Sequence, residues 1–221
     1  VKGFDPKFKL AIAITHAFGV FVKPENILNI GINTISDLDL KFAREKGYGI
    51  KLIARAVKTD NQVFGLVAPQ FIDAHHPLAS VRNEFNAVTV QGAFSEKQLF
   101  IGKGAGSYPT GSAVLSDISA LTYDYRYEYK KLHQAEDIQY STRASIESFV
   151  RFPHGTKISI QDFEEFQSGY AANGQHYMLG RVSLEKLAEW SRWENVGIIL
   201  SPEALFVNKP VKSEMLEYTA A

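Results

Sequence analysis

The sequence of 221 residues contains no cysteine, which excludes disulfides, thiolate nucleophiles and cysteine-ligated metal sites. It also lacks any apolar run of about eighteen residues, the length that a membrane-spanning helix needs. Neither sign of charge is in excess, because 24 Lys and Arg residues balance 24 Asp and Glu residues. The absence of a basic excess argues against a nucleic acid or an anionic membrane as a partner.

No signal peptide opens the chain, which favours the cytoplasm. The first residue is Val1 rather than Met, which indicates a fragment of a longer protein. What is present is ordinary for a globular protein: 45% of the residues are hydrophobic and 22% are charged. A chain of 221 residues is long enough for one large domain or two small ones.

The order of the predicted elements indicates an α+β fold. Two helices, over about residues 5–18 and 36–46, are followed by four strands with short connections and by a helix that runs to about residue 131. Links of hairpin length predict a mixed, largely antiparallel sheet covered by helices. We therefore expect residues 1–131 to form one domain.

A second, smaller unit is predicted after a polar linker over residues 132–144. It begins with an alternating strand, Ile146 to Phe152, and continues with two strands on either side of Asn173-Gly174, a strong hairpin signal. A helix that starts after Ser183 and a further strand complete it. We expect residues 145–221 to fold as a separate small α+β unit.

The helix that opens the chain is the first candidate for chemistry. Asp5 suits the N-cap, and Pro6 suits the first helical position. The apolar run that begins at Leu10 predicts a helix covered on most sides, with Lys9 partly buried near its N-terminus. Burial and the helix dipole both favour the neutral amine, which could then act as a general acid or base oriented by Asp5. The alternative is a solvated lysine at a helix start, and the helix alone favours that alternative.

Other patterns carry less chemistry. Gly102-x-Gly104-x-Gly106 could hold a phosphate or a flat ring against backbone N–H groups, but a tight strand-to-helix turn explains it at least as well. His75-His76 lacks the further ligands of a metal site, and we predict no metal. No nucleophile elbow is present.

Several motifs, in this order and spacing, resemble the catalytic region of homoserine dehydrogenase over roughly residues 1–125. They are Asp5-x-x-x-Lys9-Leu10-Ala11-Ile12, Gly49-Ile50-Lys51-Leu52-Ile53-Ala54, Asn86-Ala87-Val88 and Gly104-Ala105-Gly106-x-x-Pro109-Thr110-x-x-Ala113-Val114-x-x-Asp117-Ile118. The resemblance implies a catalytic and dimerisation domain like the C-terminal domain of glyceraldehyde-3-phosphate dehydrogenase. The segment 145–221 resembles an ACT domain, a regulatory fold, with one helix reduced.

The resemblance also implies an activity and a set of site residues. The family interconverts L-homoserine and L-aspartate 4-semialdehyde with NAD or NADP. Lys9 matches the catalytic lysine, which exchanges a proton with the homoserine hydroxyl. Asp5 matches a carboxylate that binds the polar end of the substrate, and Gly104, Ala105 and Gly106 match the loop beside the nicotinamide. A homodimer or a higher homo-oligomer is the expected assembly.

Part of the family pattern is missing. No G-x-G-x-x-G strand-turn-helix precedes the opening helix, so the NAD(P)-binding Rossmann domain is not in this sequence. We therefore expect the chain to be inactive by itself, and its sequence does not distinguish NAD from NADP. The alternative is a non-catalytic dimerisation module in which residues 145–221 sense an amino acid such as threonine.

Overall fold

The computed structural model describes residues 2–132, 137–172, 174–202 and 204–208. The helices are α1 Phe4–Phe18, α2 Asp37–Glu45, α3 Ser107–Leu121 and α4 Leu184–Trp190. The strands are β1 Leu28–Asn29, β2 Tyr48–Thr59, β3 Gln62–Asp73, β4 Phe85–Val90, β5 Gln98–Lys103, β6 Gln139–Tyr140, β7 Ala144–Pro153, β8 Glu165–Ala172, β9 Gln175–Ser183, β10 Gly197–Leu200 and β11 Val207–Asn208. This composition confirms the predicted α+β class with a mixed, largely antiparallel sheet.

The strands β2 and β3 form a long antiparallel hairpin. All twelve residues of β2 pair with β3, from Tyr48 opposite Asp73 to Thr59 opposite Gln62. The connection is only Asp60 and Asn61, and Asp60 has a φ of 52°, a left-handed conformation that aspartate tolerates in tight turns. β3 is buried from Val63 to Ile72, as expected of a strand covered on both faces.

Three short strands share the other edge of β3, and all three run parallel to it. β6 pairs at Gln62 and Val63, β1 at Leu66 and Val67, and β10 at Gln70. β10 comes from the segment that the sequence predicts as a separate unit, and β6 lies within the predicted linker. The predicted separation of residues 145–221 is therefore wrong for the part that the structure describes.

The internal order of the C-terminal part matches its predicted strand-hairpin-helix-strand pattern. Its strands lie in the order β10-β7-β9-β8, and the element between β7 and β8 is a short 3-10 turn, Ile160–Asp162, in place of a helix. This part shares a core with β3, because Phe64 and Leu66 pack in one cluster with Ile146 and Leu187. The shared apolar core explains why the two parts do not separate.

Helix α2 shows how local sequence determines an element boundary. The Ser36 side chain accepts a hydrogen bond from the Asp39 N–H at 3.4 Å, and the Asp39 carboxylate accepts one from the Ser36 N–H at 2.8 Å. The two bonds together form a capping box. Asp39 is fully buried, however, which the capping role does not explain.

A second body of structure extends from the sheet. β4 and β5 form an isolated two-stranded hairpin, and α3 follows it with none of its residues buried. We call β4, β5 and α3 the arm. Its exposed apolar side chains include Val88, Phe100, Val114, Leu115 and Ile118. α3 ends at Leu121 rather than near the predicted residue 131, since Asp124 adopts a left-handed conformation with a φ of 55°.

Among the described residues, no helix has the length and apolarity required to cross a membrane.

Tyr140 anchors β6 to β3 and gives the fold a measurable pH dependence. Its hydroxyl donates to the Gly65 carbonyl at 2.8 Å, and burial raises the pKa of Tyr140 to about 12. An unfolded tyrosine titrates near pH 10. Between pH 10 and 12 the unfolded chain therefore loses this proton first, and the free energy of unfolding falls as pH rises.

We expect Tyr140→Phe to lose about 1 kcal/mol at pH 8, where the hydrogen bond is intact in the parent. At pH 11 the parent also loses stability through Tyr140 and the variant does not, so the difference narrows. Urea unfolding at both pH values measures it. Tyr108→Phe, at a 90% exposed position, is the control and leaves both values unchanged. An equal difference at both pH values would contradict this account of Tyr140.

Candidate active site

The N-cap of helix α1 lies two residues earlier than the sequence predicts. Its N-cap is Gly3, with a φ of 78°, and Asp5 lies in the first turn instead of capping it. The amide of Asn29 donates to the Lys2 carbonyl at 2.8 Å, which holds the chain where it must turn sharply into the helix. Glycine allows that left-handed turn. Pro6 still fits, because the first-turn N–H groups have no helical partner.

This start places Asp5 and Lys9 on one face, one turn apart. The Lys9 ammonium lies 3.0 Å from the Asp5 carboxylate, and their side chains are 65% and 76% exposed. The predicted partial burial of Lys9 is therefore wrong for this chain. An exposed pair of this kind contributes little to stability, about 0.3–0.5 kcal/mol. The pair provides an amine that is positioned by a carboxylate and is accessible to another molecule.

Beside this pair, α1 carries apolar side chains that no element of the described part of the chain covers. Leu10, Ala11 and Ile14 face the core, whereas Phe4, Phe8 and Ile12 are about half exposed. The prediction that α1 is covered on most sides is wrong for this chain. An apolar stripe at i, i+4 and i+8 beside a charged pair is typical of a surface that another body covers.

The loop Gly104-Ala105-Gly106 connects the arm hairpin to α3. The Gly104 N–H donates to the Glu84 carbonyl at 3.0 Å, and Gly106 has a φ of 118°, a conformation that favours glycine. A Cβ on Gly104 would clash with the Asn86 side chain. The loop therefore presents bare backbone with no side chain larger than a methyl group, a surface on which a flat ring could lie.

The structure brings Asp5 and Lys9 into contact. The Gly104-Ala105-Gly106 loop is held separately, by hydrogen bonds to residues of the arm and next to it. In the described residues, the backbone hydrogen bonds of the loop go to Glu84, which directly precedes β4, and to the first turn of α3, and none reaches Asp5 or Lys9. Lys103 contacts Glu84 at 3.0 Å, and hydrogen bonds from the Glu84 N–H and from Lys103 hold the pKa of Glu84 below its usual value. The loop is thus fixed to the arm independently of α1.

A buried ion pair that the sequence analysis does not predict joins the N-terminal part of the chain to the C-terminal part. The Arg151 Nε donates to the Asp39 carboxylate at 2.8 Å, and the two side chains are 6% and 0% exposed. The other guanidinium nitrogens donate to the carbonyls of Thr34, at 2.6 Å, and Asn195, at 3.0 Å. The burial of Arg151 could have been predicted from the sequence, because the alternation of β7 places Arg151 on the same face as the buried Phe149.

Sequence comparisons place the chain in a known family. The homoserine dehydrogenase family model matches residues 1–119. The homoserine dehydrogenase of Bacillus subtilis is 39% identical over 126 residues, which cover 57% of this chain and 29% of that protein. The Helicobacter pylori homoserine dehydrogenase is 41% identical over 118 residues. The matched segments therefore cover less than a third of the length of these relatives.

Similarity to solved structures extends further along the chain. A crystal structure of S. aureus homoserine dehydrogenase superposes on 90% of this chain and 53% of its own, with a TM-score of 0.61 and 27% identity. The homoserine dehydrogenase from Thiobacillus denitrificans has the same fold over 91% of the chain, with a TM-score of 0.69 and 24% identity. Sequence and fold agree, and the chain belongs to the homoserine dehydrogenase family.

Proposed function

We propose that this chain is the catalytic part of a homoserine dehydrogenase that interconverts L-homoserine and L-aspartate 4-semialdehyde. One observation carries the proposal: in a chain of this family, Lys9 is held at 3.0 Å by Asp5 on an exposed face of α1. The reaction belongs to the biosynthesis of threonine and methionine, and we propose the cytoplasm as its compartment. The amine and the carboxylate are the groups that the reaction needs from this chain.

The proposed roles follow from the chemistry of each group. In the oxidation direction, the Lys9 amine in its neutral form accepts the proton of the substrate hydroxyl as the carbon that carries it becomes a carbonyl. Asp5 orients that amine and pairs with the polar end of the substrate. When bound, NAD(P) supplies the hydride acceptor, and the Gly104-Ala105-Gly106 loop would lie against its nicotinamide. The bare backbone of that loop supports this assignment.

The proposal includes dependence on a nucleotide-binding domain outside this sequence. The half-exposed Phe4, Phe8 and Ile12 beside Lys9 support it, since they form an uncovered apolar border to the site. The test is a fusion protein in which the NAD(P)-binding Rossmann domain of a homoserine dehydrogenase precedes this chain. We expect the fusion to form NADH or NADPH from L-homoserine and the chain alone to form none. An inactive but folded and NAD(P)-binding fusion would contradict the proposal.

We further propose that the arm mediates a homodimer. Strand β5 is exposed along its whole length, and α3 buries no residue, although both carry large apolar side chains. An exposed apolar surface of this extent is characteristic of an interface. A second copy of the chain, together with the proposed nucleotide-binding domain, would cover it.

A second candidate function is amino-acid sensing by the C-terminal part. A cavity of about 570 Å³ lies between the turn after β7 and β9, lined by His154, Thr156, Ser159, Gln161 and His176 among others. Calorimetric titration of the whole chain with L-threonine and other amino acids tests it. We expect heat of binding that His176→Ala removes and His75→Ala, outside the cavity, does not. No heat with any amino acid would exclude sensing by this chain.

A further inference from the structure

A second cavity lies where the start of α1 meets the C-terminal part of the chain. It has a volume of about 200 Å³. The N-terminal part of the chain contributes Lys2 and Phe4 to its lining, together with Asn29, Asn33 and Thr34. The C-terminal part contributes Ser191, Val196 and Ile198, around the end of α4 and the start of β10. The cavity is thus built by both halves of the chain.

The lining of this junction cavity has one sign of charge. Among the described residues that line it, Lys2 carries the charge and none is Asp or Glu. Asn33, Thr34 and Ser191 add hydrogen-bonding groups, while Ile30 and Val196 add apolar surface. The backbone of Lys2 is held by the Asn29 amide at 2.8 Å. A single cation without a carboxylate partner in the cavity favours an anionic ligand.

Size and charge together narrow the class of ligand. A volume of about 200 Å³ corresponds to roughly six or seven water molecules at ~30 Å³ each, so a molecule of a few heavy atoms fits. An amino acid would bring an ammonium group for which the lining provides no carboxylate. A small hydroxycarboxylate suits the lining better, with its carboxylate on Lys2 and its hydroxyl among Asn33, Thr34 and Ser191.

The position of the cavity gives binding a structural consequence. Arg151 donates to the carbonyl of Thr34, which lines the cavity, and to that of Asn195, which directly precedes the lining residue Val196, so the guanidinium joins two segments of the lining. Lys2 and Phe4 lie immediately before Asp5 in the chain. A ligand here would contact the C-terminal part and the first turn of the helix that carries Asp5 and Lys9.

We propose that the junction cavity binds a small hydroxycarboxylate through Lys2, and that binding stabilises the contact between the start of α1 and the C-terminal part. The site is separate from the Asp5–Lys9 pair. It does not depend on the proposed dehydrogenase activity, because binding can be measured on this chain without substrate or cofactor.

The test is a titration of the whole chain with L-lactate, followed by NMR shifts and by hydrogen exchange of the amides. We expect saturable binding in the millimolar range, with protection of residues 2–5 and 191–198. Lactamide, which has the same shape without the charge, should bind at least tenfold more weakly. Lys2→Met should weaken lactate binding at least tenfold, and Lys2→Arg should retain most of it.

The controls separate this site from general anion binding. Lys58→Met removes an exposed lysine on β2, and we expect unchanged lactate affinity. Lys2 is exposed, so unfolding of the Lys2→Met variant is not expected, and its melting temperature checks this. Equal binding of lactate and lactamide, equal affinity in Lys2→Met, or no binding to the parent would each overturn the proposal.

Discussion

Lys9→Ala is expected to lower the rate of homoserine oxidation by the fusion protein by about two to four orders of magnitude, the contribution typical of a positioned general acid or base. The loss should appear in kcat, since the amine acts on the proton that leaves in the transition state. Initial rates of NADH or NADPH formation at saturating L-homoserine measure it. The substitution leaves the fold intact, because the Lys9 side chain is 65% exposed and its ion pair adds little stability.

Two variants make this result specific. Lys7→Ala removes a neighbouring lysine whose ammonium lies 5.1 Å from the centre of the Phe4 ring, and it should keep the parent rate within a few-fold. Asp5→Asn should raise KM for L-homoserine and lower kcat, because the carboxylate is proposed to hold both the amine and the substrate. A Lys9→Ala rate within a few-fold of the parent would remove Lys9 from the mechanism.

Arg151→Met is expected to have the largest effect on stability, about 3–5 kcal/mol in the free energy of unfolding. The variant leaves the fully buried Asp39 carboxylate without its cation. It also leaves the carbonyls of Thr34 and Asn195 without their donors. Urea unfolding of the whole chain at neutral pH measures the loss.

A double-mutant cycle with Asp39→Asn separates the ion pair from the other contacts. Asp39→Asn alone leaves the guanidinium buried without its counter-charge, and the double variant leaves neither charge uncompensated. We expect the double variant to lose clearly less than the sum of the two single losses. Additivity within about 0.5 kcal/mol would show that the two side chains do not act as a pair. The exposed Asp5–Lys9 pair serves as the comparison, with a coupling below about 1 kcal/mol.

The elements whose boundaries depend on residues close together in the chain could be predicted from the sequence. The capping box of Ser36 and Asp39 specifies the start of α2, and the turn formers at Asp60-Asn61 specify the β2–β3 hairpin. In each case the partners lie within a few residues of one another, so a local pattern carries the information. The Asp5–Lys9 contact was predictable for the same reason, as a pair one helical turn apart.

The features that were predicted wrongly from the sequence depend on residues that lie far apart in it. Pairing of β10 with β3 joins Leu200 to Gln70, and no local pattern specifies that contact. The Gly3 cap follows from Asn29 holding Lys2, a contact across 27 residues. The exposure of Lys9 was not predicted, because an apolar run predicts a buried helix but does not identify the element that would cover it. In this chain α1 buries only one side against β2 and β3.

Chemical rescue tests the central claim, that the Lys9 amine moves the substrate proton, most directly. Primary amines such as methylamine and ethylamine are added to the Lys9→Ala fusion while NADH or NADPH formation is followed. The account predicts that the rate rises with amine concentration and depends on the basicity of the added amine, with no such effect on the parent. Absence of rescue by every amine in a variant that still binds L-homoserine and NAD(P) would contradict it.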